Sequence, residues 1–440
     1  LRRRGIERAF THQAQAVDCA LRGEHVVIVT PTASGKTLCY NVPVLNTLLT
    51  EPSARALYLF PTKALAQDQL AELATMQRVL GHRFEAHTYD GDTPKPVRPR
   101  IRKAAQVVIS NPDMLHAGIL PHHTRWALFF QRLRYVVLDE IHTYRGVFGS
   151  HVANVLRRLK RICAFYGSEP QFLCSSATIA NPLELAERLT EERFALVDRE
   201  EDGSPHGPKH FLFYNPPIVD AKLGIRRSAV SDSRLMAQRF LLNGVQTIVF
   251  ARARLTTELL LTYLRDTARG EGLSEERVQG YRGGYLPSER RDIERGLRER
   301  KVLGVVATNA LELGINIGHL DACVMTGYPG TIASTWQQAG RAGRRAETSA
   351  AILVAGASPL DQYIIKQPEY FFGRTPEHAL LNPDNLVIAV NHIRCAAFEL
   401  PFEGDETFGT FPHTQEVLAY LEEEGLLRLS GRQWHYAAQT

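Results

Sequence analysis

Apolar positions in this chain fall in short runs separated by stretches with helical spacing. Between residues 24 and 180 the runs at 25–30, 56–61, 107–110, 135–140 and 171–178 are rich in β-branched residues and nearly free of charge. That is the mark of strands buried on both faces of a parallel sheet. Helical patterns lie between them, so this half is expected to be a doubly wound α/β sheet. A second series at 247–251, 302–308, 322–327 and 350–355 repeats the pattern, with helices expected over 255–269 and 288–300. Two sheets of one kind are predicted in tandem.

Between the two series, residues 199–217 are rich in Gly, Pro and charge around a short strand at 211–214, which predicts a domain boundary. After Gly356 the sheet pattern stops. Residues 384–399 place Leu386, Val387, Ala389, Val390, Ile393, Ala396 and Ala397 on one helical face after an Asn382-Pro383 start signal. A helix with Val417, Leu418 and Leu421, an apolar stretch at 427–429, a Ser430-Gly431 turn and a strand at 433–436 close the chain. Helix plus hairpin suggests part of a winged helix, with a structural cap as the alternative. The expected organisation is a first doubly wound α/β domain over 1–198, a linker over 199–235, a second over 236–358 and a mainly helical accessory region over 359–440.

Composition changes this picture little. At 440 residues, 44% hydrophobic and 22% charged, the chain has the make-up of a globular protein of several domains. No segment reaches the roughly 18 uncharged apolar residues that read as a membrane span, and the first residues lack the apolar stretch of a signal peptide. No membrane partner is expected, and a cytoplasmic, nucleoid-associated location is. The chain begins without a methionine, so more of the natural protein is expected beyond it. Cys19, Cys39, Cys163, Cys174, Cys323 and Cys395 form no C-x-x-C pair and mostly sit in apolar runs; they are expected to be small buried hydrophobes, with no zinc in this chain. The net charge of +5 permits a polyanionic partner without naming one. Two basic runs, Lys95, Arg98, Arg100, Arg102, Lys103 and Arg157, Arg158, Lys160, Arg161, are expected to be solvated surface, as charge runs usually are.

The chemistry is more specific. Thr30-Pro-Thr-Ala-Ser-Gly-Lys-Thr37 follows an apolar run and precedes a helical pattern, the context of a phosphate-binding loop. Loop amides, with Thr32 and Ser34 in the wall, would wrap the phosphates; Lys36 would neutralise the β/γ oxygens and Thr37 would offer its hydroxyl to Mg²⁺. Gly35 allows the backbone to approach closely, and Thr30 stands where the strict motif has its first glycine. A hundred residues on, an apolar run ends in Asp139 and Glu140. Asp139 can hold Mg²⁺ through water and Glu140 can orient and deprotonate an attacking water. ATP and Mg²⁺ are the expected cofactors.

With these residues the chain resembles the superfamily 2 helicases of DEAD/DEAH type, here with Asp-Glu-Ile-His at 139–142. Phe10-Thr-His-Gln13 resembles the adenine-reading Q motif, which implies Gln13 as the amide partner of the base. Residues 61–65 resemble motif Ia, 90–92 and 110–113 stand where the later strand-contacting motifs belong, and 176–178 resemble motif III. Residues 248–250, 307–316 and 337–344 resemble motifs IV, V and VI, and the resemblance implies that both α/β domains are RecA-like. The resemblance implies nucleic-acid contacts from Thr62, Lys63, Asn111 and Thr308, coupling through His142, Ser176, Thr178 and Gln337, and a nucleotide contact at Gly314. Arg341 and Arg344, in Gly-Arg-x-Gly-Arg, can act as arginine fingers on phosphates held by the other domain. Asn316 stands where the family usually has Asp.

Residues 202–217, 308–317 and 392–401 further resemble the Hrq family of RecQ-related DNA helicases. That resemblance implies a 3′-to-5′ DNA translocase acting in repair. Family members carry a C-terminal four-cysteine zinc site, which residues 361–440 do not supply. The expected function is an ATP-dependent DNA helicase with DNA as its track; an RNA helicase and an ATP-gated clamp are the alternatives, and protein partners are not legible. Unwinding also needs a wedge, for which the hairpin with Trp434, His435 and Tyr436 is the candidate, although such aromatics more often fill a core.

Overall fold

The computed structural model describes residues 3, 5–31, 34–205, 207–315, 317–318, 320–343 and 347–437. They form two compact units, one of residues 1–30, 34–203 and 378–440, the other of residues 31–33 and 204–377. Among the described residues no helix is long and apolar enough to cross a membrane.

The first unit is built on β1 (His25–Val29), β2 (Arg55–Leu59), β3 (Ala86–Thr88), β4 (Val107–Ser110), β5 (Leu133–Leu138), β6 (Gln171–Ser176) and β7 (Phe194–Val197). Their order is β3-β4-β2-β5-β6-β1-β7, every pairing parallel. The central strands are continuous apolar runs because helices cover both faces: Val27, Leu57, Val136 and Leu138 are buried together with Val152, Leu156 and Leu159 of the helix Gly146–Phe165. The phosphate loop, the Asp139-Glu140 pair and residues 61–65, 90–92, 110–113 and 176–178 follow the C-terminal ends of these strands, where open parallel sheets bind their ligands.

The second unit begins inside the stretch expected to be linker. There β8 (Lys209–Tyr214) is followed by the hairpin β9 (Ile218–Asp220) and β10 (Ile225–Arg226) and the helix Ala229–Leu242. Then come β11 (Thr247–Ala251), β12 (Val278–Tyr281), β13 (Gly304–Ala307), β14 (Ala322–Thr326) and β15 (Ser349–Val354). The sheet order is β12-β13-β11-β14-β15-β8, again all parallel. Residues 209–214 are thus an edge strand, held by Phe211 and Phe213 packing on Phe371 with ring centroids 5.2 and 5.5 Å away. Flanking Gly and Pro disguise it as a connector.

The region expected as one accessory piece also divides. Residues 359–377 stay with the second unit, whereas 378–440 pack with the first. In the latter, the helix Leu386–Glu399, β16 (Phe402–Glu403), the helix Thr414–Glu423, β17 (Leu427–Ser430) and β18 (Gln433–Tyr436) form an antiparallel sheet of order β16-β18-β17, a winged-helix arrangement. Its core joins Ile393, Phe402, Leu418, Leu421 and Trp434. Trp434 is only 8% exposed and belongs to this core, whereas His435 and Tyr436 are half-buried, Tyr436 packing edge-on against Phe398 at 5.4 Å.

The second basic run is likewise not a solvated face. Arg157 pairs with Glu191 and Asp384 at 2.7 Å each, and Arg158 pairs with Glu399. Arg161 pairs with Glu406 at 2.5 Å and lies 3.9 Å over the Phe402 ring. These arginines share the helix face that the winged helix covers, and the covering segment lies more than 200 residues further along the chain.

Candidate nucleotide and nucleic-acid site

In the first unit the phosphate loop runs from β1 into the helix Lys36–Thr50, whose N-cap Gly35 has φ +85°. Thr30 and Ser34, both buried, share a hydroxyl hydrogen bond of 2.5 Å that closes the loop across its base, so a threonine serves where the strict motif has glycine. Lys36 Nζ donates to the Thr30 carbonyl at 2.6 Å. Burial pulls Lys36 below the ordinary lysine range, while the Glu140 and Asp139 carboxylates act the other way. Gln13 donates to the Gly35 carbonyl at 3.2 Å and accepts from the Phe10 amide at 3.1 Å. An added Cβ at Gly35 would lie 2.5 Å from Gln13 Nε2 in a left-handed backbone. Gly35→Ala is therefore expected to weaken ATP binding at least tenfold and to cost about 1–2 kcal/mol of stability, readable by nucleotide titration and thermal melting.

The carboxylate pair follows β5. Asp139 accepts from the Glu140 amide at 3.0 Å and from the Ser175 hydroxyl, and Tyr40 OH lies 3.5 Å away. Thr37 stands three residues before Tyr40, one turn away on the helix Lys36–Thr50. Burial first, and the Glu140 charge second, push Asp139 up to about 7. Glu140 itself has φ +53°, a left-handed conformation that non-glycine residues adopt at a cost. His142 Nδ1 accepts from the Ala177 amide at 3.1 Å, and burial holds the ring below the ordinary imidazole range. The Glu140 carboxylate is 3.4 Å from that same nitrogen. One nitrogen cannot accept from the amide and donate to the carboxylate together, so His142 is neutral and Glu140 remains free to take a proton. The two residues thus join the carboxylate box to residues 176–178.

Sequence reasoning missed Ser175. It named Ser176, whose hydroxyl bonds the neighbouring Ala177 carbonyl at 2.7 Å, and Thr178, which is half-buried just after it. The parallel register pairs Leu138 with Cys174, which sets Ser175 beside Asp139.

Of the residues assigned to nucleic acid, Thr62 and Asn111 cap the helices that follow β2 and β4, accepting from Leu65 and Met114 amides at 3.4 and 2.8 Å. Lys63 pairs with Asp92 at 2.8 Å. A cleft of about 730 Å³ opens here, lined by Lys63, Lys95, Arg98, Arg102, Asn111 and Arg125. The first basic run is therefore a wall and not a loose loop: residues 98–104 are helical, and Arg98 donates to the Asp90 and Thr93 carbonyls at 3.0 Å while lying 5.2 Å over Tyr89. Proline interleaving concealed that helix.

In the second unit, Thr308 caps the turn after β13 by accepting from the Ala310 amide at 3.4 Å, and Gly314 is exposed. Gln337 is buried on the helix Ile332–Ala339. Arg341 donates to the Ile315 and Glu312 carbonyls at 2.9 and 2.8 Å, and the Glu312 carboxylate accepts from Ser334 at 2.6 Å and Gln338 at 2.9 Å. The segments resembling motifs V and VI are thus bonded into one piece. Thr32, Asn316 and Arg344 lie outside the described residues.

Residues 10–186 match the DEAD/DEAH box helicase family and residues 233–346 match the helicase conserved C-terminal domain. The "Uncharacterized ATP-dependent helicase YprA" of Bacillus subtilis is 57% identical over 440 residues, which cover all of this chain and 58% of that protein. The "ATP-dependent helicase HRQ1" of Saccharomyces cerevisiae is 41% identical over 426 residues, 93% of this chain and 39% of that protein. The crystal structure of the DUF1998 helicase MrfA bound to DNA and AMPPNP superposes with a TM-score of 0.96 at 57% identity, covering 100% of this chain and 61% of that one. This chain therefore spans about three fifths or less of the length of these relatives. It belongs to the superfamily 2 helicases of DEAD/DEAH type and, among them, stands with the Hrq helicases.

Proposed function

We propose that the protein is an ATP-dependent DNA helicase that moves 3′ to 5′ along one strand and acts in DNA repair, in the cytoplasm at the nucleoid. The observation that carries this reading is the common outlet of the phosphate loop, the Asp139-Glu140 pair and the basic cleft at the C-terminal ends of one parallel sheet. Chemistry and track then share the loops of a single scaffold. A relative whose crystal structure is of a complex with DNA and AMPPNP supports DNA as the track, and the Hrq-like segments support the polarity and the repair role.

Lys36 would hold the β/γ oxygens and Glu140 would take the proton of the attacking water. The residues fit Mg²⁺: the Thr37 hydroxyl and the crowded, buried Asp139 carboxylate are hard oxygen donors, and the crowding is of the kind a cation relieves. Bound there, Mg²⁺ would neutralise charge on the phosphate oxygens. Arg341 and Arg344 would supply transition-state charge, as the helicase resemblance implies, and the contact of His142 with the Ala177 amide would pass the hydrolytic state to residues 176–178.

A strand-displacement assay on DNA and RNA duplexes with 3′ or 5′ tails tests this reading. Unwinding of 3′-tailed DNA is expected, with at least a 100-fold loss in Lys36→Ala, the order of effect of removing a transition-state charge clamp. Equal unwinding of RNA would make the RNA helicase reading the better one. Nucleic-acid binding without stimulated ATP turnover would leave a clamp.

A further inference from the structure

The N-terminal turn of the helix Thr11–Leu21 is held from two sides. On one side Gln13 donates to the phosphate-loop carbonyls of Gly35 at 3.2 Å and Ser34 at 3.4 Å. On the other, Thr11 Oγ1 donates to the Glu201 carbonyl at 2.6 Å and Gln15 donates to the Glu201 carboxylate at 2.5 Å. His12, wholly buried, meets both sides with one ring: Nε2 is 3.1 Å from the Ser34 carbonyl and Nδ1 is 3.3 Å from the Asp202 carboxylate. A carbonyl only accepts, so Nε2 carries a hydrogen, and Nδ1, which has no hydrogen-bond partner in the neutral ring, attracts Asp202 only when it is protonated as well. Burial lowers the imidazole's affinity for a second proton, and Asp202 raises it. The fit is close on the Asp202 side, since a Cβ at Gly203 would lie 2.5 Å from Thr11 Oγ1 and 3.0 Å from its amide nitrogen. The next residue, Ser204, begins the second unit.

We propose that His12 is a positioning residue that ties the shape of the phosphate loop to the segment 198–203, the last piece of the first unit before the chain enters the second. This rests on the ATPase reading above. A nucleotide in the loop needs the Ser34 carbonyl in one place, and His12 connects that carbonyl to Asp202 when its ring carries both hydrogens, Nε2 donating to the carbonyl and Nδ1 to the carboxylate. By reciprocity, whatever shifts Asp202 alters nucleotide affinity, and ATP alters where the segment sits. His12 touches no reacting atom, so its effect belongs in affinity and not in the chemical step.

The test is steady-state ATPase kinetics at saturating DNA, with thermal melting, on His12→Ala, Asp202→Ala, the double variant and Asp202→Asn. Each single alanine variant is expected to raise KM for ATP about tenfold with kcat within about twofold, in the range of known coupling between sites. The double variant should add nothing beyond the larger single effect, because both remove one link. Unchanged KM, additive effects, or a fall in kcat and melting temperature with KM intact would each overturn the proposal. If His12→Ala fails to fold, Asp202→Asn decides alone: a raised KM at normal melting temperature supports the link and an unaltered KM refutes it. Failure of the underlying reading shows separately, as a wild-type protein with no DNA-stimulated turnover.

Discussion

Replacing Glu140 by glutamine is expected to lower ATP turnover about 1,000-fold, roughly 4 kcal/mol in the barrier, with ATP still bound. Glutamine keeps the size and the hydrogen-bonding reach of the side chain but cannot take a proton. The site is arranged so that little else can substitute: Asp139 is occupied by Ser175 and the Glu140 amide, and His142 spends its Nδ1 lone pair on Ala177. Backbone strain gives the prediction a second arm. Glu140 sits at φ +53°, where glycine is at ease and other residues are not. Glu140→Gly is therefore expected to stabilise the protein by about 1 kcal/mol while losing turnover as fully as the glutamine variant. Phosphate release, nucleotide titration and thermal melting on the two variants check this. Retention of more than a tenth of wild-type turnover by Glu140→Gln would remove Glu140 from the role of base.

What could be read from the chain before its structure follows a physical line. The central strands β1, β2, β4, β5 and β6 are buried on both faces, and burial on both faces writes itself as an uninterrupted apolar run. Edge strands do not: β3 carries His87 and Thr88, and β7 and β12 are four residues each; β8 is legible as a short strand at 211–214, but Pro208 and Pro216 around it point to a linker and not to a sheet edge. The phosphate loop and the carboxylate pair were legible because their chemistry needs fixed residues at fixed short spacing. Ser175 was not, because its place beside Asp139 is a matter of strand register, which no local pattern encodes. The loop's tolerance of Thr30 was hidden for a related reason, since it depends on the hydroxyl of Ser34 turning toward it. Charge misled where partners are distant in sequence. Arg157, Arg158 and Arg161 resemble any solvated run until the winged helix, arriving at the far end of the chain, supplies Glu399, Glu406 and Asp384.

That last contact supports the second large prediction: Arg158→Ala is expected to destabilise the first unit by about 3–5 kcal/mol, the cost of leaving one half of a buried ion pair alone. Arg158 and Glu399 are 0% and 1% exposed. Arg158 Nε donates to Glu399 Oε2 at 3.0 Å, Nη2 donates to Oε1 and to the His116 carbonyl, and Nη1 faces His116 Nδ1 at 2.5 Å and His392 Nδ1 at 3.3 Å. A guanidinium only donates, so both imidazoles must accept at Nδ1 and stay neutral. His392 then carries its hydrogen on Nε2 and donates to His151 Nδ1 at 2.9 Å. Burial, with the neighbouring guanidinium, pushes His116 down to about 4 and His392 to about 2. Unfolded, both would titrate near 6.5. Between those limits these two groups bind more protons in the unfolded chain than in the folded one, so the stability they contribute is full above about pH 6.5 and falls as the solution is acidified toward 4, while Asp139, raised to about 7, acts in the opposite sense. Without Arg158 the histidines lose the cation that opposes their protonation, and the acid slope should shrink along with the stability. Arg158→Met combined with Glu399→Leu removes both charges and should recover most of the loss. Thermal melting of the three proteins from pH 7.5 to 4.5 separates the outcomes. A loss under about 1 kcal/mol in Arg158→Ala, or no recovery in the double variant, would mean that apolar packing and not the ion pair holds the winged helix to the first sheet.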